Sequence, residues 1–297
     1  MKVFVTGATG WVGSAVIQEL LGAGHDVLGM ARTDEGAETL ARRGIAVHRG
    51  ELSDLDSLVA GARACDGVIH TAFIHDFKDF NAAGETDRAA IAAMGDALAG
   101  TGKPLVTTSA SALLKHGVTG SENDGPDPQG PAQHRTASEA QTLSLVERGV
   151  RATLVRLPPS VHGDGDYGFV PRLVDIARAK GMSAYIGEGR NRWPAVHRFD
   201  AARLYRLALE LGVAGKRYHA VGEQGIAARD IAAAIGKGLN LPVVSVGPAE
   251  AADHFGFLGR FFAADCPADS TLTQQQLGWS PTGLALIEDM AQHYFQG

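Results

Sequence analysis

The chain has 297 residues, of which 45% are hydrophobic and 20% are charged, as in ordinary globular proteins. Its net charge of −6 argues against nucleic acid or an anionic membrane surface as the main partner, and no apolar stretch approaches the roughly 18 residues that span a bilayer. A strand predicted from residue 2 leaves no room for a signal peptide, and Cys65 and Cys266 lack metal-ligand spacing. We therefore expect a cytoplasmic protein with reduced thiols and no bound metal.

A glycine-rich turn follows the first predicted strand, the apolar run at residues 3–5. Gly7 permits a sharp exit from the strand, Gly10 lets the backbone approach a pyrophosphate, and Gly13 lets the next helix pack closely. That helix points its positive end at the phosphates. Strand, turn, helix and a second strand at 27–30 follow in the order that predicts dinucleotide binding. The alternative is a tight structural turn without a ligand.

Strands and helices alternate through the first half of the chain. The predicted strands cover residues 45–49, 68–72, 105–108 and 152–157. The predicted helices cover residues 37–43, a segment capped by Ser53, 85–99 and 134–148. Alternation of this kind predicts an α/β fold with a Rossmann doubly wound parallel sheet, whose ligands bind at the carboxyl ends of the strands.

The pattern loosens after residue 158. Short strands are predicted at 218–221 and 243–246, and helices at 169–180, 201–211, 228–239 and 283–294. We predict a dinucleotide-binding domain over 1–160, whose sheet is completed by later strands, and a smaller mixed α/β substrate-binding lobe over 161–297. The last four residues, from Tyr294 to Gly297, match the end of a protease-cleavage tag but are equally compatible with a native terminus.

The glycine spacing, with Thr6 ahead of it, is GxxGxxG and resembles that of extended and atypical short-chain dehydrogenases/reductases, a superfamily that includes nucleotide-sugar epimerases. The resemblance implies cofactor contacts from this turn and from the ends of later strands. The implied residues are Gly7, Thr9, Gly10, Trp11, Val12 and Gly13 in the turn, Glu51, Leu52, Thr71, Ala72 and Phe73 after strands, and Ser138 and Pro158 further along. For Ala72 the alternative is plain packing.

Cofactor choice depends on the end of the second strand. The planar fork of Arg32 suits a 2′-phosphate, and Thr33 can add a hydroxyl. These residues favour NADP(H) over NAD(H). The alternatives are a solvated Arg32, and Asp34 or Glu35 turned inward to bind the ribose diol.

The catalytic segment departs from the family pattern. Ser109 aligns with the family serine that hydrogen-bonds the reacting oxygen, or else serves only as a capping hydroxyl. His134 stands where the family has its acid/base tyrosine, and Ser138 stands where it has lysine. Histidine transfers protons near neutral pH without a lysine, so His134 can replace the tyrosine, with Ser138 keeping a ribose contact. Alternatively, His134 starts the helix and faces solvent.

The lobe offers three candidate substrate residues, Tyr167, Trp193 and His197. Tyr167 is a loop aromatic that contacts substrate or serves as a second acid, and Trp193 forms part of a polar-aromatic edge. His197 either lines the cleft or is a hydrogen-bonded core histidine. It lies in a stretch resembling the family Val-His-Val-x-Asp, in which the aspartate, here Asp200, caps a helix.

Three functions are compatible with these residues. The first is an NADP-dependent oxidoreductase for a small carbonyl or alcohol, with Ser109 polarising the oxygen and His134 moving the proton. The second is a cofactor-binding sensor without turnover, which the altered motif permits. The third is a nucleotide-sugar epimerase or dehydratase, although the loss of tyrosine and lysine counts against it. A small-molecule substrate is expected in the first case, and a homodimer is compatible with all three.

Overall fold

The computed structural model describes residues 1–75, 79–130 and 133–296. Its twelve strands in this part of the chain are β1 Lys2–Thr6, β2 Asp26–Ala31, β3 Ala46–Arg49, β4 Gly67–His70, β5 Pro104–Ala110, β6 Arg151–Leu157, β7 Ser160–His162, β8 Ser183–Ile186, β9 Arg192–His197, β10 Arg217–His219, β11 Glu223–Ala227 and β12 Val243–Val246.

The α-helices in the same described ranges are α1 Trp11–Gly22, α2 Asp34–Arg42, α3 Leu55–Arg63, α4 Phe80–Leu98, α5 Thr136–Ser144, α6 Phe169–Lys180, α7 Arg198–Leu211, α8 Ala228–Leu239, α9 Ala251–Phe255, α10 Leu258–Phe262, α11 Thr271–Leu277 and α12 Leu286–His293. Short 3-10 turns lie at Ser111–Leu113, Gln133–Arg135 and Leu145–Arg148. None of these helices is long and apolar enough to cross a bilayer.

Seven parallel strands form the central sheet in the order β10-β6-β5-β4-β1-β2-β3, which confirms the predicted doubly wound α/β fold. Side chains alternate across it: Val3 and Val5 pack beneath α1 and α7, whereas Phe4 packs beneath α3 and α4. Helices therefore cover both faces, as parallel sheets require. The site expected at the carboxyl ends of the strands lies along one edge of this sheet.

The second half of the chain contributes elements both to the Rossmann layer and to the lobe. Helix α7 packs on α1, and β10 pairs in parallel with β6, so both belong to the Rossmann layer. The lobe contains the sheets β11-β9-β7 and β12-β8, and its apolar core is built mainly from α6, α8, α9, α10 and α12. Tyr294 and Phe295 pack against that core, and the Tyr294 hydroxyl donates to Asp166 Oδ2 at 2.6 Å. Gly297 lies outside the described residues.

Several predicted helix starts are wrong, mainly because other side chains cap the helices. Asp54, not Ser53, accepts the amide of Ser57 at the start of α3, and α4 begins at Phe80 because Asp79 caps it. Helix α7 begins at Arg198, so Asp200 lies inside its first turn. The buried Asp200 carboxylate instead accepts the amides at 282 and 283, which delays α12 until residue 286.

A fully buried ion pair fixes α5 to the sheet. Arg156 of β6 donates from Nε and Nη2 to the two carboxylate oxygens of Glu139, each at 2.8 Å. Arg156 Nη1 also donates to the carbonyl of Asp124, and the Ser109 hydroxyl donates to Glu139 Oε1 at 2.7 Å. Burial raises the pKa of Glu139, but the bonds and charge from Arg156 outweigh it and hold that pKa below its ordinary value.

We expect Arg156→Met to lower the free energy of unfolding by about 3–5 kcal/mol, because it leaves the Glu139 carboxylate buried with only Arg217, at 3.5 Å, to offset its charge. The matched control is Arg88→Met, which breaks an exposed pair with Glu85 and should cost less than about 1 kcal/mol. Urea titration followed by circular dichroism measures both. Equal midpoints for the two variants would contradict the assigned role of the buried pair.

Candidate cofactor and catalytic site

The glycine turn between β1 and α1 is formed by direct backbone contact. Gly7 has φ of +68°, and a Cβ there would lie 2.7 Å from the amide nitrogen of Ala72. A Cβ on Gly13 would lie 2.0 Å from the Gly7 carbonyl oxygen. Gly10 is the N-cap of α1 and has no side chain to occupy the helix end, and the first turn carries no acidic residue. This arrangement fits a pyrophosphate at the positive end of α1.

The lobe reaches over this turn through Trp11. The indole Nε1 donates to the carbonyl of Val161 at 2.7 Å, and the Arg198 guanidinium lies 3.9 Å from the indole ring centroid. Arg198 also donates to Ser14 Oγ at 3.3 Å, while its buried Nε has no partner among the described residues. Sequence reasoning missed Arg198, a cation at the phosphate-binding end of α1, because only the fold brings it there.

Tyr167 contacts the glycine turn. Its hydroxyl accepts the amide of Trp11 at 3.1 Å, and the two rings meet edge to face. The side chain is 62% exposed. The sequence analysis did not foresee this contact, and the substrate or acid role of Tyr167 stays a prediction.

The end of β2 presents cationic side chains. Arg32 is exposed, and Thr33 caps α2 by accepting the amide of Gly36 at 3.1 Å. Arg49, which the sequence analysis did not single out, donates to the Thr33 carbonyl and pairs with Asp34 at 2.9 Å. The Asp34 carboxylate is thereby drawn toward Arg49.

The other residues expected to contact the cofactor have different environments. Glu51 is exposed and accepts the Ser53 hydroxyl at 2.7 Å, whereas Leu52 is packed in the apolar core. Among the expected turn residues, Thr9 is exposed and Val12 is partly buried. Pro158 is buried directly after β6.

A buried hydrogen-bond chain joins β1, β4 and α4 behind the site. Thr6 Oγ1 accepts the amide of Ala72 at 3.3 Å and lies 2.7 Å from His70 Nδ1, while His70 Nε2 lies 3.0 Å from Asp87 Oδ1. A carboxylate only accepts, so His70 Nε2 is the donor to Asp87. Thr71 adds a further bond, from its hydroxyl to the Thr6 carbonyl at 2.7 Å.

Asp87 stays ionised in this buried place. Burial raises its pKa, but the hydrogen bond and charge of His70, and then the charge of Arg135 and the Ser138 hydroxyl, outweigh burial and lower it. Ser138 is buried in the first turn of α5. The residue that aligns with the family lysine therefore lies beside a carboxylate, and it is the neighbouring Arg135 that carries a charge.

His134 lies in the 3-10 turn that precedes α5, packed against aromatic rings. Its ring centroid is 4.8 Å from that of Phe80 and 6.3 Å from that of Phe73. Gly84 allows this approach, since a Cβ there would lie 2.2 Å from the His134 carbonyl oxygen. Burial, then the charges of Arg135 and Arg260, lower the pKa of His134 below its ordinary value, against the opposing charge of Asp87. The imidazole is therefore neutral at pH 7.

Arg135 places a cation beside this imidazole. Its guanidinium carbon lies 3.4 Å from the Phe73 ring centroid, and Nη1 donates to the carbonyl of Thr108 at 3.3 Å. Burial lowers the pKa of Arg135, and the charge of Asp87 opposes that shift. The sequence contained this arginine in the family's catalytic segment, but its position gave no sign that it faces the strand ends.

Ser109 does not converge with His134 on one oxygen, as the sequence predicted. It is buried beneath α5, and its hydroxyl donates to Glu139, so it positions that carboxylate. The next hydroxyl along, Ser111, follows β5 directly, is fully buried and has no hydrogen-bond partner among the described residues. Ser111 is thus a candidate for the polarising group that sequence reasoning missed.

Two of the candidate substrate residues, Trp193 and His197, make contacts within the protein. Trp193 is 1% exposed, packs in the lobe core and donates from Nε1 to the Phe261 carbonyl at 3.2 Å, so it forms no substrate-facing edge. His197 is the N-cap of α7 and its ring meets that of His162 edge to face. Burial, followed by the charge of His162, lowers the pKa of His197.

Comparison with known proteins agrees with this architecture. Residues 3–221 match the sequence model of the NAD dependent epimerase/dehydratase family. The chain belongs to this family. It is 50% identical over 293 residues to an uncharacterized protein from Schizosaccharomyces pombe, covering 98% of each chain.

The chain also resembles a reductase in sequence and a dehydratase in fold. The chain is 29% identical over 236 residues to a 2-alkyl-3-oxoalkanoate reductase from Stenotrophomonas maltophilia, covering 73% of this chain and 69% of the other. It superimposes with a TM-score of 0.80, at 19% identity, on a dTDP-glucose 4,6-dehydratase from Streptomyces venezuelae solved with NAD, covering 99% and 96% of the two chains. That likeness shows the fold.

We expect Gly10→Val to abolish binding of both NADPH and NADH while the protein stays folded. A Cβ at Gly10 lies 3.2 Å from the Gly7 carbonyl oxygen, so the turn has to shift by a few tenths of an ångström, and the branched carbons enter the space expected for the pyrophosphate. Calorimetric titration measures the binding. Gly22→Ala, in open space at the other end of α1, is the control and should bind as wild type. Retained affinity in Gly10→Val would show that the turn is only structural.

Proposed function

We propose that the protein is an NADP(H)-dependent oxidoreductase that interconverts a carbonyl and an alcohol, with His134 transferring the proton. The observation that carries the proposal is the neutral imidazole of His134, held between two aromatic rings at the family's acid/base position with Arg135 beside it. An imidazole with a lowered pKa is a base at neutral pH and becomes an acid as the pH falls.

Arg135 takes over the electrostatic task that the family assigns to lysine. Its charge lowers the pKa of His134, and its guanidinium faces the ends of β4 and β5 through Phe73 and the Thr108 carbonyl. A fixed cation there also stabilises negative charge on an alcohol oxygen as its proton leaves. Ser138 next to Asp87 leaves no place for a second cation at the family's lysine position.

The reaction divides between the cofactor and the chain. A bound nicotinamide dinucleotide supplies the hydride to the carbonyl carbon or accepts it from the alcohol carbon. In reduction, the protonated His134 gives its proton to the carbonyl oxygen, which takes up the electron pair of the π bond, and the alcohol and a neutral imidazole result. In oxidation, neutral His134 accepts the hydroxyl proton. Ser111 is the hydroxyl we assign to orient the reacting oxygen.

The NADP(H) preference is supported by Arg32 and Arg49. Two guanidinium groups near the end of β2 suit a 2′-phosphate, and Arg49 already engages Asp34, the carboxylate that would otherwise accept from a ribose diol. Arg198 adds a positive charge near the start of α1, where the pyrophosphate is expected to bind.

We expect Arg32→Ala to weaken NADP(H) binding by about 1.5–3 kcal/mol while barely changing NAD(H) binding, because the charge-assisted bonds to the 2′-phosphate are lost. Titration calorimetry with all four nucleotides measures the difference, and Arg88→Ala is the control for loss of an exposed arginine. Tighter binding of NAD(H) than of NADP(H) by the wild type would refute the preference.

We expect His134→Phe to cut turnover by at least about a hundredfold with cofactor affinity intact, because the ring stays packed but moves no proton. His134→Tyr should keep partial activity. His25→Phe, at the opposite end of the sheet beside Glu210, is the control and should turn over as wild type. Carbonyl and alcohol panels followed by NADPH absorbance provide the rates.

The pH profile separates His134 from other proton donors. Arg135, Arg260 and Asp87 are the charged groups that act on it, and the net effect with burial is a lowered pKa. Carbonyl reduction should therefore slow as the pH rises through that pKa, while alcohol oxidation should speed up and then level off. A His134→Phe variant as active as wild type would assign the proton to another group. Cofactor binding without turnover on any substrate would favour the sensor.

A further inference from the structure

An apolar groove of about 620 Å³ opens beside the catalytic turn, between the start of α4 and the α9–α10 hairpin of the lobe. Its walls include the aromatic rings of Phe80, Phe257 and Phe261 with the aliphatic Ile186 and Pro248, and its one charged lining residue in the described ranges is Arg260. This volume is within the range of small-molecule sites, which are mostly apolar with a few polar groups that fix orientation.

The groove and the catalytic turn share a wall. Phe80 lines the groove and its ring also packs 4.8 Å from the imidazole of His134. On the groove side, the Arg260 guanidinium carbon lies 5.7 Å from the Phe80 centroid and 5.2 Å from that of Phe261. A molecule lying along Phe80 can therefore reach the imidazole at one end and the guanidinium at the other.

The charge of Arg260 has no carboxylate partner in the described part of the chain. Its guanidinium stacks on aromatic rings, and its field extends to His134, whose pKa it helps to lower. The Arg260 side chain is exposed to solvent, and its planar guanidinium offers paired N–H donors that suit a carboxylate. An anionic ligand that neutralises Arg260 would also relieve its effect on His134 and raise the pKa of the imidazole, so that more of it is protonated at neutral pH.

We propose that this groove holds the substrate, and that the substrate is an oxo acid or hydroxy acid with an aromatic or long alkyl body, its carboxylate paired with Arg260 and its carbonyl or hydroxyl at His134. This inference rests on the proposed oxidoreductase function and adds the substrate class to it. The apolar walls would contact the body of the substrate, and the guanidinium of Arg260 would bind its carboxylate. Phe80 lies next to both Arg260 and His134, so it would align the substrate between these two groups.

The test uses the full-length protein saturated with NADP⁺ or NADPH and a series of aryl ketones whose ring lies between the carbonyl and the carboxylate, namely 4-acetylbenzoate, (4-acetylphenyl)acetate and 3-(4-acetylphenyl)propanoate, each with its methyl ester. Calorimetry measures binding and NADPH absorbance measures turnover. We expect at least one acid to bind about tenfold or more tightly than its ester, and Arg260→Gln to remove that difference while ester binding stays the same. Arg88→Gln is the control for charge and should preserve the difference.

A second variant tests where the apolar body of the substrate lies. Ala252 lines the groove, and the substitution Ala252→Phe narrows it. Ala252→Phe should weaken binding of 3-(4-acetylphenyl)propanoate at least about tenfold and leave the small 4-oxopentanoate nearly unchanged. Equal losses for both acids would overturn the assignment of the body to this groove.

The outcomes separate the two proposals. Binding that depends on the carboxylate and on Arg260, without turnover, supports the groove and contradicts the proposed reaction. Turnover of neutral ketones with no preference for acids, and no effect of Arg260→Gln, supports the reaction and overturns the groove. Both proposals are supported if the apparent pKa of carbonyl reduction is higher for the acid than for its ester, and if Arg260→Gln makes these two pKa values equal.

Discussion

The buried ion pair between Arg156 and Glu139 is the interaction on which the arrangement around His134 and Arg135 depends. It ties β6 to α5, and α5 follows directly from the turn that carries His134 and Arg135. Each oxygen of Glu139 accepts a bond from Arg156, and Ser109 supplies another, so the cost of burying the charge is offset. The serine that resembles a catalytic group is thereby part of the support beneath the helix.

In the proposed mechanism, the two departures from the family motif compensate each other in space. With serine at 138, the cation that would tune the proposed acid/base group comes from Arg135, one turn earlier, stacked on Phe73. A histidine needs less tuning than a tyrosine, whose ordinary pKa is near 10, to exchange protons at neutral pH. The chain Thr6–His70–Asp87 supplies the opposing negative charge, so the field at the imidazole results from groups on β1, β4 and α4.

Local patterns predicted the sheet and the glycine turn, because both are encoded over a few neighbouring residues. The predictions that failed depended on the direction in which each side chain points, which a local pattern does not give. Ser109 points toward α5 because strand residues alternate, and Trp193 is enclosed by α10, which follows it by 65 residues or more along the chain. Arg198 and the Arg260 groove could not be inferred, since each exists only where distant segments meet. The roles given to His134 and Arg32 stay predictions.

The return of the chain to its first layer has a consequence for synthesis on the ribosome. Helix α7 and β10 cover α1 and the open edge of β6, yet they are translated last among the Rossmann elements. A nascent chain that has emerged only through β6 carries an unpaired strand edge and an uncovered apolar face, the surfaces that chaperones bind. At roughly 5–20 residues per second, that exposed state lasts several seconds before Arg198 arrives to close the phosphate end. The rate of translation between β7 and β10, which depends on codon usage, therefore sets how long the incomplete sheet stays exposed.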